Sequence, residues 1–161
     1  MKKKIILIYK VLFNKNFETI NIQNKLSESF NAKYKKSMLT NDRQGELLNR
    51  IVMIMEDNSI ICNPDFSVDM LAELVHSNQK YVSQVINDSF KKNFRSFLNS
   101  YRIKEAQLIL SEPDAIKYTI ESVALQVGFR SRNAFRDVFK EFTGISPNSY
   151  LKSMYKQSVS A

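Results

Sequence analysis

Cysteine, histidine, tryptophan, glycine and proline are nearly missing from this chain of 161 residues, which holds one Cys, one His, no Trp, three Gly and three Pro. The single thiol, Cys62, has no partner for an internal disulfide, and its plain reading is a small buried hydrophobe. With His76 the only imidazole, a multi-histidine zinc site and the zinc-finger spacings are both excluded. So few glycines leave no glycine-rich loop, and G-x-x-x-x-G-K does not occur, so nothing is built to cradle nucleotide phosphates. Cys62 and His76 form the one conceivable nucleophile and base pair, and no motif surrounds either. Neither an enzyme nor a bound metal or cofactor is expected.

Long hydrophobic runs are also missing. Residues 5–13 make a nine-residue apolar run interrupted by Lys10, well short of the roughly 20 residues of a membrane span. No small-residue cleavage site follows, as a signal peptide requires.

What is present is an ordinary globular composition, 43% hydrophobic and 25% charged. A chain of this length buries close to about 70% of its unfolded surface, so its core needs no metal or bridge. Lys and Arg number 24 against 16 Asp and Glu, a net +8, but residues 1–45 hold ten against three, or +7, and leave +1 for residues 46–161. Any polyanion-binding surface on the larger part must therefore come from local clustering. Residues 1–45 read as a basic connector, or as an anchor stub in which Lys2, Lys3 and Lys4 sit beside the apolar run. Phe17, Ile20, Leu26 and Phe30 are spaced loosely, as in a helix that needs a partner.

From Leu39 onward Leu47, Leu48, Ile51, Ile54 and Met55 recur at three and four residues and predict a helix, closed by Asn58 to Pro64. Ser67 caps the next helix, with Phe66 and Leu71 placed as a hydrophobic staple, and this helix stops near His76. Asn78 caps a short helix that buries Val82, Val85 and Ile86. Asn93 to Ser111 is then one long amphipathic stretch, a rod of about 27 Å at roughly 1.5 Å per residue.

The chain then repeats itself. Tyr118-Thr119-Ile120-Glu121-Ser122-Val123 carries the staple, cap and first turn of Phe66 to Leu71, displaced by 52 positions. His76 falls on Gly128, a turn position that favours positive φ, which glycine takes freely and histidine less easily. Beyond it the second copy holds one more residue, so that Asn78 matches the cap Ser131, Val82 matches Phe135 and Ile86 matches Phe139. Thr143-Gly144 ends this copy, and Ser146-Pro147 starts a last helix. The fold expected is all-α, two helix-turn-helix units joined by a long connecting helix, with an N-terminal helical connector.

The outward positions of the two second helices are rich in hydrogen-bond donors. They read Gln79, Lys80, Ser83, Gln84 and Asn87 in the first unit, and Arg132, Asn133, Arg136, Asp137 and Lys140 in the second, with Arg130 in the turn. Gln84 and Asn133 suit an adenine edge and the arginines suit guanine. Lys91, Lys92, Arg95, Arg102 and Lys104 follow along the junction and the rod, where phosphates would lie. Any amphipathic surface helix also turns polar residues outward, so each face taken alone reads equally as solvated. Taken together, twin heads on a rod of this length suit the roughly 34 Å repeat of the major groove.

Residues 46–152 resemble the DNA-binding region of the AraC/XylS family of bacterial transcription regulators. The carrying residues are Leu71-Ala72-Glu73, Tyr81-Val82-Ser83, Phe97-Leu98 and Arg102-Ile103-Lys104-Glu105-Ala106. Densest is IESVALQVGFRSRNAFRDVFKEFTGISPNSY, Ile120 to Tyr150, with its glycine, serine, phenylalanine and Gly-x-Ser-Pro spacing.

The resemblance implies a cytoplasmic, sequence-specific reader of double-stranded DNA that places two recognition helices in adjacent major-groove segments, with RNA polymerase a partner. Its domain would span 46–155, with units at about 67–90 and 119–142 and the connecting helix at about 94–111. Lys80, Ser83, Gln84, Arg132, Asn133 and Arg136 fall on base-reading positions, and Tyr81, Lys91, Arg130, Ser131 and Lys140 on phosphate positions. The lysine-rich start resembles the join to a membrane-spanning sensor in the Bacteroidetes variety of the family. Asp137 stands where members often carry Arg, and would repel phosphate, accept from a cytosine amino group or buttress Arg136. His76 replaces the usual turn glycine. A helical protein-interaction adaptor that keeps the fold without DNA contact is the alternative.

Overall fold

A computed structural model of the chain describes residues 33–112 and 114–159. Among the described residues are eight α-helices and no strand: α1 Lys33–Met55, α2 Asn58–Ile61, α3 Val68–Leu74, α4 Gln79–Phe90, α5 Phe94–Leu110, α6 Ile120–Gln126, α7 Arg132–Thr143 and α8 Pro147–Val159. A 3-10 turn, Ala115–Lys117, precedes α6. The all-α architecture is the expected one, with α3–α4 and α6–α7 as helix-turn-helix units on either side of the connecting helix α5. The basic cluster and apolar run of the N-terminal connector or anchor stub lie outside the described residues.

Short polar side chains set the helix starts. Each accepts a hydrogen bond from an amide N–H of the first turn that has no partner within the helix. The Ser67 hydroxyl takes the amide of Met70, Asn78 that of Tyr81, Asn93 that of Ser96, Thr119 that of Ser122, Ser131 that of Ala134 and Ser146 that of Ser149. One start differs from the expectation of a single first helix closed by Asn58 to Pro64. The chain breaks at Glu56, and Asp57 caps the separate turn α2 by accepting from the Ser59 amide at 2.9 Å and its hydroxyl at 2.6 Å. The second staple also departs from the first. Phe66 is buried edge-on against Phe94, whereas Tyr118 is left 42% exposed.

The two units follow one plan. Helices α3 and α6 are offset by 52 residues and α4 and α7 by 53, and each of the latter pair is 12 residues long. Both turns are Schellman motifs, in which the amides just past the helix return to carbonyls of its last turn. His76 donates to Glu73 and Ser77 to Ala72; Gly128 donates to Leu125 and Phe129 to Ala124. The extra residue of the second copy therefore follows Phe129, and it is Arg130.

Both units pack on α5. Its N-terminal half contributes the buried Phe97, Leu98 and Tyr101, with Phe90 of α4 stacked on Phe97 at a centroid distance of 4.5 Å. Farther along, Ile103, Ala106, Ile109 and Leu110 join Val123, Ala124, Val127, Phe129, Phe135 and Phe139 in one core cluster. A run of rings, Phe129, Phe135, Phe139 and Tyr150, with centroids 5.3 to 5.5 Å apart, ties α7 to the turn before it and to α8.

Candidate nucleic-acid interface

Helices α4 and α7 each bury one side completely. Val82, Val85 and Ile86 of α4, and Phe135 and Phe139 of α7, have no exposed surface. Helical periodicity then turns the residues between them outward. Lys80 and Gln84 are exposed, with Tyr81 and Ser83 half-buried beside them. On α7 and its turn, Arg130, Ser131, Arg132, Asn133, Arg136 and Lys140 are all exposed. The six sequence-derived base-reading candidates thus form two sets, three residues on each second helix.

Each second helix ends at a left-handed residue, Lys91 with φ 55° after α4 and Gly144 with φ 80° after α7. A lysine in that conformation leaves no trace in helical periodicity. Lys91 is exposed beside Lys92, whose ammonium lies 5.1 Å from the centroid of the Phe142 ring of the second unit.

Several basic side chains carry internal partners. Arg136 lies 3.4 Å from the carboxylate of Asp137, with both groups largely exposed. The contact is of the kind expected where Asp137 buttresses Arg136, and the pair, open to water, is worth about 0 to 1 kcal/mol. Arg130 is paired with Asp65, ahead of the first unit, both again largely exposed. Asp65 is a participant that sequence reasoning missed, since it lies 65 residues away and outside every motif.

Arg102 corrects an expectation. Read from the sequence as meeting phosphate, it is only 7% exposed, with Nε donating to the Ile61 carbonyl and Nη2 to the Asn63 carbonyl, each at 2.7 Å. Burial pulls its pKa below the ordinary value, opposed by the charge of Cys62. The guanidinium is spent inside the fold, on the Ile61 carbonyl at the end of α2 and on the Asn63 carbonyl, which also accepts from the Phe66 amide. Lys104, from the same expected set, is half-buried, and burial lowers its pKa as well.

A family model described as a helix-turn-helix domain matches residues 71–153, just over half of the chain. The chain belongs to the AraC family of helix-turn-helix regulators. An uncharacterised HTH-type transcriptional regulator of Staphylococcus aureus is 31% identical over 115 residues, 71% of this chain and 14% of that protein. The matched stretch thus spans about one seventh of the length of such curated relatives. The C-terminal domain of the two-component response regulator yesN from Fusobacterium nucleatum has 27% identity and a TM-score of 0.54, covering 63% of this chain and 93% of that one. An AraC-type DNA-binding domain protein from Chromobacterium violaceum shares the fold with a TM-score of 0.59 at 18% identity, covering 71% of this chain and 96% of that one. Against the AraC pattern, His76 occupies the first turn where Gly128 occupies the second, and both adopt positive φ.

Proposed function

We propose that this AraC-family chain reads double-stranded DNA and regulates transcription, with α4 and α7 entering successive major-groove segments on one face of the duplex. The observation that carries the reading is the matched build of the two units: each second helix is anchored by fully buried apolar residues and presents short polar or basic groups outward. That is what a groove-reading helix requires.

In this reading Lys80, Ser83 and Gln84 meet bases in one segment and Arg132, Asn133 and Arg136 in the next. Gln84 and Asn133 bracket adenine edges, and Arg132 pairs with guanine through O6 and N7. Tyr81, Lys91, Arg130, Ser131 and Lys140 hold phosphates and set the register. The Ser131 oxygen accepts from the Ala134 amide, which leaves its own proton for a phosphate oxygen. The partners are duplex DNA and, for regulation, RNA polymerase, with an upstream sensor domain or membrane-anchored partner supplying the signal. A reader of a bacterial chromosome works in the cytoplasm.

Selection of bound duplexes from a random library, followed by salt titration on the selected site, tests this. A reader yields a motif with two parts, and its log affinity falls linearly with log salt, with a slope of about −0.9 for each phosphate neutralised. The adaptor reading draws on the two arginines already matched to carboxylates, Arg130 with Asp65 and Arg136 with Asp137. Absence of any retained duplex at low salt would favour it.

A further inference from the structure

We infer that Arg102 is a positioning residue for two-headed reading: it pins the loop after α2 and the turn of the second unit around one guanidinium, and so sets the angle between α4 and α7. The inference rests on the DNA-reading function proposed above.

Contacts from the loop that leads into the first unit and from the turn of the second converge on this junction. Arg102 Nε and Nη2 hold the carbonyls of Ile61 and Asn63. Its Cζ lies 5.8 Å from the centroid of the Phe129 ring, in the second turn. Gly128 fits against the same place so closely that a Cβ there would stand 2.6 Å from the Cys62 carbonyl oxygen and 3.0 Å from Arg102 Cζ. Arg130, the extra residue of the second copy, reaches Asp65 just past Asn63. Just before α5, Lys92 lies over the Phe142 ring of α7.

A helix is stiff along its axis, but that alone does not fix how two packed units are turned about it. Over the roughly 34 Å between successive groove segments, a misdirection of about 10° displaces a head by about 6 Å, more than one base-pair step. Arg102 suits the task because its planar fork holds two carbonyls at once, which a lysine ammonium on a flexible stem does not hold in fixed geometry. Sequestered from water, it takes no part in binding phosphate, so its effect on DNA is exerted through the setting of the heads.

The test compares the full chain with Arg102→Lys in two measurements. In the first, Cys62 is replaced by serine, and spin labels on cysteines introduced at the exposed Asn87 and Asp137 report the distance between heads without DNA. In the second, the unlabelled proteins are titrated with the selected duplex and with versions in which the spacing between its two parts is changed by one base pair, and with each part alone.

The unsubstituted chain is expected to give one narrow distance distribution and to prefer the native spacing by about tenfold or more, the scale of one lost base contact. Arg102→Lys, still helical by circular dichroism, broadens the distribution and lowers that preference to within about twofold, while its affinity for each part alone is unchanged. A narrow distribution and an intact spacing preference in Arg102→Lys overturn the proposal. A broadened distribution in a chain that binds no duplex overturns instead the reading on which it rests. If Arg102→Lys loses its helices, Asp65→Asn combined with Lys92→Gln removes the Arg130 ion pair and the contact of Lys92 with Phe142 and leaves the fully buried residues in place. Partial broadening and a weakened spacing preference then support the proposal, and no change in either overturns it.

Discussion

His76 and Gly128 hold the same place in two Schellman turns, with φ of 53° and 86°, yet the space around them differs. His76 is exposed, whereas Gly128 is buried with the Cys62 carbonyl directly over it. Replacing His76 by Gly relieves the left-handed strain of a side chain and adds some unfolded-state freedom, for a net gain of roughly 0.5 to 1 kcal/mol. Gly128→Ala adds strain and a clash with backbone, and is expected to cost about 2 to 4 kcal/mol. Thermal melts of the two variants should move in opposite directions. A shared direction would mean that the turns are not equivalent.

Phe135 and Arg132 sit three residues apart on α7 with opposite duties. Phe135→Ala removes a side chain with no exposed surface, packed between Phe129 and Phe139. It should destabilise by about 3 to 5 kcal/mol. Arg132→Ala touches nothing buried and leaves the melting temperature in place, but relaxes preference at one base pair by about 1 to 3 kcal/mol. Denaturant unfolding and competition with single-substitution duplexes separate the two effects. An unchanged midpoint for Phe135→Ala contradicts the facing of this helix.

Lys140, exposed in the last turn of α7, is expected to act as a charge without regard to sequence. Lys140→Ala should weaken binding evenly across duplexes and reduce the slope of log affinity against log salt by about 1. Titrations at several salt concentrations measure the slope directly. A loss confined to one duplex sequence would make Lys140 a base reader instead.

The Cys62 thiol has its pKa pushed above the ordinary 9.0, first by burial and then by the charge of Glu105, with Arg102 opposing. The thiolate is the reactive form, so alkylation of the folded chain at neutral pH should be slower than that of the denatured chain. The sign for stability follows from the raised value. The contribution of Cys62 is fully present below pH 9.0 and is lost as pH rises from there through the folded pKa. Alkylation kinetics with and without denaturant, and melts across this alkaline window in Cys62→Ala, check both statements. Equal alkylation rates would contradict the shielded thiol.

Much of the fold was legible because it depends on near neighbours. Caps such as Ser67, Asn78 and Ser131 act three residues away, and the spacing of Val82 with Ile86 or Phe135 with Phe139 shows which side of a helix is dry. The displacement by 52 and then 53 residues exposed the twin units, and His76 could be placed in a turn by its match to Gly128. Contacts between distant segments were not legible. Nothing in the periodicity of α5 distinguishes Arg102, which turns to carbonyls 41 and 39 residues back, from Arg95, which stays exposed. Asp65 in a loop and Lys91 in left-handed backbone were hidden for the same reason: a partner or conformation set by tertiary packing leaves no local pattern.

The sharing of α5 between the units also shapes how the molecule comes apart. Phe97, Leu98 and Tyr101 serve one hydrophobic cluster while Ile103, Ala106, Ile109 and Leu110 serve the other, so neither half owns a complete interior. Severed between Ser111 and Thr119, the C-terminal piece forfeits the wall against which α7 is packed and is not an autonomous folding module. Melting of either half therefore withdraws support from its neighbour, and residues 43–155 should unfold as one thermodynamic block.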